Sequence, residues 1–182
     1  MAKSKSAYST PTKIGKLDTH IFVIWVDNEA GVLARVVGLF SGRGYNIESL
    51  AVAEVDQTKN ISRITIVTTG TPQVIDQIKL QLKKLVPVHK VANFKREDKK
   101  VIFKEMALLK IAANPNKIKK ALNACKKYDP VILDQTSKSA VIQITALRRE
   151  IDKMTKNLKT HGLISVSRTG AVAMTRGAEI FN

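Results

Sequence analysis

The chain has 182 residues, of which 44% are hydrophobic. This suits one large domain or two small ones and argues against global disorder. No apolar run approaches the roughly 20 residues that a membrane-spanning helix needs. The single cysteine, Cys125, excludes a disulfide scaffold and a zinc cluster built on cysteines. The start of the chain is rich in Lys, Ser and Thr and lacks the apolar core of a secretory signal. A transit peptide is the alternative to a disordered tail, but the segment is short and contains no Arg, so we expect a disordered tail at 1–18 and a cytoplasmic protein.

The formal net charge of +16 raises the possibility of a nucleic-acid partner, but the charge is unevenly distributed. Residues 20–94 carry 8 basic and 6 acidic side chains, whereas residues 95–127 carry 11 basic and 3 acidic ones. Half of the excess therefore lies in one linker and on one helix face. Such a stretch is typical of a solvated surface or of a surface that meets an acidic partner.

The first half of the chain predicts the order β-α-β-β-α-β. Apolar residues form a continuous run at 20–26 and recur at helical spacing at 33–40, before Gly42 and Gly44. Thr71 followed by Pro72 is a typical helix start, with a capping side chain and a proline at the first helical position. The remaining predicted strands lie at 47–55, 62–69 and 86–94.

The second half repeats this order after a charged linker at 96–102. Asn114-Pro115 is again a typical helix start. Cys125 lies seven residues after Ile118 on the apolar face of that helix, which predicts a core position. The predicted strands lie at 103–113, 131–133, 139–147 and 163–169, and the second helix carries its apolar stripe over 151–158. Two such units predict an α+β protein with two ferredoxin-like sandwiches.

The first strand is apolar on both of its faces. Ile21, Val23 and Trp25 alternate with Phe22, Ile24 and Val26. A ferredoxin-like sheet carries helices on one face only, so the other face should alternate with polar residues if it met water. We therefore expect the open face to be covered by the second domain, a second copy of the chain or a partner protein.

No catalytic motif stands out in the sequence. The three histidines are far apart, and none lies at the spacing of a metal site. Glycine-rich phosphate loops and the nucleophile motif of hydrolases do not occur in the sequence either. We therefore expect a protein that is not an enzyme on its own.

The best candidate for a binding site is the segment Asp27–Leu33, which leads from the first strand into the first helix. Gly31 permits close approach of the backbone, and the free N–H groups of a helix start favour an anion such as an α-carboxylate. Asn28 can cap the helix or bind a ligand through its amide, and capping is the commoner role. Asn46, in the turn after the helix, presents the same two alternatives.

Several sequence blocks carry a family resemblance. They read DNEAGVLARV at 27–36, LFSGRGYNIESL at 39–50, SRITIV at 62–67, EMALLKI at 105–111 and RTG at 168–170. Together they closely resemble the small regulatory subunits of acetohydroxyacid (acetolactate) synthase, over about residues 19 to 178. The resemblance implies that residues 19–95 form an ACT domain, a ferredoxin-like module that binds amino acids, and that residues 103–182 form the second ferredoxin-like domain.

The resemblance also implies a function and a site. It implies a homodimer that binds valine, or a related branched-chain amino acid, at the interface between two ACT domains. The matching positions are Asn28, Ala30, Gly31, Val32 and Leu33 of one chain and Asn46 and Ile47 of the second chain. Members of the family activate a catalytic large subunit and confer feedback inhibition on it. That partner is expected to carry thiamine diphosphate, magnesium and FAD, so we expect no cofactor, metal, nucleic acid or membrane to bind this chain.

Two alternatives remain open on the sequence. The first is an ACT-type amino-acid sensor that serves a different enzyme or regulator. The second is an RNA-binding module, because the RNA recognition motif has the same element order. The latter needs stacking aromatic residues in its first and third strands, and the predicted third strand here has none.

Overall fold

The computed structural model describes residues 16–178, 180 and 181, and they form two domains of the same element order. The N-terminal domain consists of β1 (Asp18–Asp27), α1 (Val32–Ser41), β2 (Ser49–Asp56), β3 (Ile61–Gly70), α2 (Pro72–Leu82) and β4 (Val88–Lys95). The C-terminal domain consists of β5 (Val101–Ala112), α3 (Pro115–Cys125), β6 (Val131–Gln135), β7 (Ser139–Ala146), α4 (Arg148–Leu158), β8 (Leu163–Arg168) and β9 (Val172–Thr175). None of the helices in these ranges is long and apolar enough to cross a membrane.

The two domains have the same sheet topology. The strand order is β2-β3-β1-β4 in the first sheet and β6-β7-β5-β8 in the second, and all pairs are antiparallel. In each domain the two helices pack on one face of the sheet over a separate apolar core. This is the ferredoxin-like arrangement, so the predicted α+β fold is confirmed.

The predicted helix starts are also confirmed. The Thr71 hydroxyl accepts a hydrogen bond from the Val74 N–H at 3.4 Å, and Pro72 is the first residue of α2. At the start of α3, the Asn114 side-chain oxygen accepts one from the Lys117 N–H at 2.9 Å. In both cases the side chain satisfies one of the N–H groups that a helix leaves unpaired at its start.

Both faces of β1 are buried, and the C-terminal part of the chain supplies the cover. Ile21 and Val23 point away from the helices and pack in one cluster with Val101 and Phe103 of β5. The Phe181 ring belongs to the same cluster and lies 5.6 Å, between ring centroids, from Trp25. Of the three covers considered above, the second domain is therefore the one present within the chain.

The strand β5 makes this contact possible because its two halves have different neighbours. Residues 101–104 pair with β9, and residues 105–112 pair with β7. The first half lies over the N-terminal sheet, whereas the second half is a central strand of the C-terminal sheet. One strand thus connects the two cores.

The structure corrects several boundaries of the sequence prediction. Val101 and Ile102, placed in the linker 96–102, are the first residues of β5, and β9 was not predicted at all. The second strand begins at Ser49 rather than at residue 47. Asp18, the last residue of the predicted tail, is the first residue of β1, and residues 1–15 lie outside the described residues.

Cys125 lies in the C-terminal core, as predicted, and its thiol should be unreactive in the folded protein. The side chain is fully buried, and burial raises the pKa of the thiol to about 11. Because the thiolate is the reactive form, we expect no measurable reaction with Ellman's reagent at pH 8 until guanidinium unfolds the chain, after which one thiol per chain reacts. Rapid labelling of the native protein would contradict this assignment, and Cys125→Ser provides the blank.

Candidate functional site

The segment between β1 and α1 forms an exposed loop with a left-handed turn at its end. Gly31 has a φ angle of 84° and is the N-cap of α1. Asn28, Glu29, Ala30 and Gly31 are all exposed. Apart from its chain neighbours, no described atom lies within 4 Å of the position that a Cβ at Gly31 would occupy, so it is the backbone angle, and not a lack of space, that favours glycine there.

The start of α1 has no side-chain partner. No side chain caps it, and its first turn contains no acidic residue. The N–H groups of such a turn carry a partial positive charge, which favours an anionic group. The exposed backbone around Gly31 is therefore suited to bind a carboxylate.

Asn28 does not cap α1, so the commoner of its two roles is wrong here. Its side-chain oxygen accepts a hydrogen bond from Ser62 Oγ at 2.9 Å, and its amide nitrogen donates to Glu54 Oε1 at 3.2 Å. Its backbone N–H donates to the Asn60 carbonyl at 2.8 Å. These bonds fix the amide beside the end of β2 and the beginning of β3.

The side chains of Val32 and Leu33 differ in what they can contact. Val32 is 3% exposed and belongs to the N-terminal core. Leu33 is 40% exposed, at the surface of the first helical turn. Of the two, only Leu33 presents an apolar side chain to a ligand at this surface, because the Val32 side chain is buried and its backbone N–H already donates a long hydrogen bond of 3.4 Å to the Glu29 carbonyl.

Asn46 and Ile47 lie at the other end of the sheet. The Asn46 carbonyl accepts a hydrogen bond from Thr68 Oγ1 at 2.7 Å, and Thr68 pairs with His20. The loop at Asn28 begins after Asp27, seven residues further along β1. At about 3.3 Å per residue, roughly 23 Å of strand separates the two groups, so one chain does not bring the seven predicted residues together.

The strand β2 is an edge of the N-terminal sheet. Among the strands of residues 16–178, it pairs with β3 alone. Val52 and Val55 on this strand are 43% and 50% exposed. An edge strand of eight residues that is exposed over 52–55 and carries apolar side chains is a template for pairing with another strand.

The residues that hold Asn28 were not predicted from the sequence. Glu54 and Ser62 reach it because β2 and β3 pair directly, with Glu54 opposite Ser62. The only signal in the sequence was the turn at 56–60, which places the two residues on adjacent strands. Among the described residues there is no group of side chains that could hold a metal ion.

Comparison with known proteins gives the same two-domain division. The family described as "AHAS small subunit-like ACT domain" matches residues 22–90, and the family described as "Small subunit of acetolactate synthase" matches residues 104–177. The acetolactate synthase small subunit of Mycobacterium bovis is 33% identical over 159 residues, which cover 87% of this chain and 93% of that protein. The small subunit of Buchnera aphidicola is 37% identical over 155 residues, covering 85% and 96%.

The chain belongs to the acetolactate synthase small-subunit family. The crystal structure of the small subunit from Thermotoga maritima agrees, with a TM-score of 0.79 and 32% identity over 88% of this chain and 99% of that one. Membership of the family means an ACT domain and a regulatory role, and the name small subunit implies a catalytic large subunit as partner. The chain covers nearly the whole length of these relatives, so both domains belong to the family.

Proposed function

We propose that this chain activates the catalytic large subunit of acetolactate synthase and makes it sensitive to feedback inhibition by valine. The observation that carries the proposal is the uncapped start of α1 at Gly31, which is exposed and suited to a carboxylate. The amino acid is the effector, and the reaction takes place on the partner. Thiamine diphosphate, magnesium and FAD belong to that partner, and the complex works in the cytoplasm.

The effector site forms between two copies of the chain. Antiparallel pairing of β2 with β2 of a second copy places the start of one strand beside the end of the other. The Asn28 loop lies near the end of β2, and Asn46 precedes its start. A two-fold symmetric dimer of this kind therefore joins the two half-sites that lie at opposite ends of the sheet in one chain.

The chemistry of the site suits a small aliphatic amino acid. The carboxylate accepts hydrogen bonds from the N–H groups of Gly31 and Leu33, and the Val32 N–H, which makes only a long bond of 3.4 Å to the Glu29 carbonyl, turns to it when the effector binds. The side-chain oxygen of Asn46 from the second copy accepts from the ammonium group. Leu33 of one copy and Ile47 of the other contact the aliphatic side chain. Because both copies contact the same effector molecule, its binding favours one arrangement of the dimer.

Feedback inhibition requires the effector to bind the inhibited arrangement of the complex more tightly than the active one. Such coupling between two sites is typically worth about 1–3 kcal/mol. Activation and inhibition are separable in this scheme, because activation depends on docking to the large subunit and inhibition depends on the Gly31 loop.

Gly31→Asp is expected to abolish inhibition by valine and to leave activation intact. The new carboxylate repels the carboxylate of the effector at the helix start, whereas a side chain at this position meets no described atom within 4 Å. The measurement is acetolactate formation by the large subunit mixed with this chain, titrated with valine, together with calorimetric titration of the chain alone.

Gly31→Asn is the matched control. Asparagine has nearly the size of aspartate and tolerates the left-handed backbone angle, but it carries no charge. It should stay within a few-fold of the parent in its response to valine. If Gly31→Asp is inhibited by valine as strongly as the parent, the loop is not part of the effector site. Loss of activation in Gly31→Asp alone would make the loop part of the contact with the large subunit.

A further inference from the structure

A cavity of about 400 Å³ lies between the two domains, on the sheet face away from the N-terminal helices. This volume falls in the range of small-molecule sites. The inner wall is apolar and comes from both domains; it consists of Ile21, Val67, Val101, Phe103, Leu147 and Ala171. The Asn28 loop takes no part in it.

Four arginines line the same cavity. Arg96 follows β4, Arg148 and Arg149 begin α4, and Arg176 follows β9. Arg148 is oriented by a hydrogen bond of 3.0 Å from its Nη1 to the Glu48 carbonyl. The side chains of Arg96, Arg149 and Arg176 form no ion pair or hydrogen bond with any other described residue.

Most of the acidic side chains at the cavity already have partners. Glu105 forms an ion pair with Arg168, Glu48 accepts a hydrogen bond from Thr69, and the Asp98 carboxylate accepts one from the Lys100 N–H. Glu97 and Lys104 complete the charged lining. Only Glu105 is neutralised by an ion pair, so five basic and three acidic side chains remain in the lining, a net charge of +2. The guanidinium groups suit carboxylates because they can donate two parallel hydrogen bonds.

The start of α4 also faces the cavity. Arg148 and Arg149 are its first two residues, whose N–H groups have no acceptor within the helix. The Glu150 carboxylate in the same turn already accepts a hydrogen bond from the Leu147 N–H at 3.2 Å, so the positive charge here comes from the two arginine side chains. An apolar wall and arginines from both domains thus line one partly open cavity.

We propose that this cavity binds a small aliphatic carboxylate, with its carboxylate at Arg96, Arg148 and Arg149 and its hydrocarbon body on the apolar wall. Because both domains line the cavity, the ligand stabilises their packing against each other and gives the protein a second regulatory site. The cavity does not include the Gly31 loop, but its lining residue Glu48 directly follows Asn46 and Ile47 in the chain. The proposal does not depend on valine binding at the effector site.

Isothermal titration of the full chain with isocaproate tests this proposal. Leucine adds an ammonium group to the same skeleton, isohexanol removes the charge, and inorganic phosphate supplies an anion with no apolar body. We expect isocaproate to bind saturably, and isohexanol and phosphate to bind at least about tenfold more weakly, the scale of one charged hydrogen bond. Leucine is titrated into Gly31→Asp, in which the proposed effector site is blocked, and should also bind that variant at least about tenfold more weakly than isocaproate does. Phosphate or isohexanol binding as tightly as isocaproate would overturn the proposal, and so would equal binding of leucine to Gly31→Asp.

Arg96→Gln combined with Arg149→Gln identifies the site. Neither guanidinium has a described partner, so the variant should fold normally, which its melting temperature checks. Isocaproate should bind it at least about tenfold more weakly, whereas Lys153→Gln combined with Lys156→Gln on the exposed face of α4 should match the parent. Unchanged binding in the arginine variant would overturn the proposal. Gly31→Asp should bind isocaproate normally, which separates this test from that of the valine site.

Discussion

Arg168→Met is expected to lower the free energy of unfolding by about 3–5 kcal/mol, because it leaves a buried carboxylate without its partner. Glu105 is 3% exposed and accepts hydrogen bonds from Arg168 Nε at 2.5 Å and Nη2 at 2.8 Å. These bonds raise the pKa of Arg168 further above its usual value. The pair joins β5 to β8, so its loss should weaken the C-terminal domain first. Chemical denaturation followed by circular dichroism measures the change.

Two further variants separate the buried charge from the surface contact. Arg168 also pairs with Asp152 at 2.6 Å, but that side chain is 44% exposed, so Asp152→Asn should lose at most about 1 kcal/mol. Adding Glu105→Gln to Arg168→Met removes the unpaired charge and should restore about 2 kcal/mol. A loss in Arg168→Met no larger than that in Asp152→Asn would show that the ion pair contributes little to stability.

The sequence predicted the fold because each local signal agreed with the next. Thr71-Pro72 and Asn114-Pro115 marked two helix starts that the structure confirms to the residue. Because both faces of β1 are apolar, the sequence predicted that the open face of the sheet is covered, although it did not show by what. Each of these signals involves residues that are close together along the chain. The element order occurs twice, which predicts two domains.

The cover itself depends on contacts that no local pattern reveals. The strand β9 has four residues, too few to show a period, and Val172 and Met174 on it are 53% and 56% exposed. It becomes a strand because the first half of β5 pairs with it, about 70 residues earlier in the chain. Val101 looked like linker for the same reason, since its partner lies at the far end of the sequence.

The candidate site shows the same division between local and distant information. Gly31 was recognisable as a special position from its place between a strand and a helix, and its left-handed backbone agrees with that interpretation. The role of Asn28 was misjudged because its hydrogen bonds to Glu54 and Ser62 follow from strand register. Asn46 and Asn28 lie at opposite ends of the sheet, which is why the proposed site needs a second copy of the chain.

Gly162→Ala is expected to destabilise the C-terminal domain by about 3–5 kcal/mol, through backbone strain and through a steric overlap that cannot relax locally. Gly162 has a φ angle of 92°, and a Cβ there would lie 2.7 Å from the Ala112 carbonyl oxygen and 2.9 Å from the Ala113 Cβ. Moving Gly162 away would also weaken the 2.9 Å hydrogen bond from the Ala112 N–H to the Gly162 carbonyl, at the end of β5. The unfolding free energy from guanidinium titration measures the loss.

Gly44→Ala distinguishes the two causes. Gly44 also has a positive φ angle, 69°, but no described atom lies within 4 Å of the Cβ position, so only the backbone strain of about 1 kcal/mol applies. The difference between the two variants therefore measures the overlap with β5. Equal losses would mean that β5 and the turn after α4 move apart at little cost, and the packing of α4 against the central strand would then contribute less to the stability of this domain than its close contacts imply.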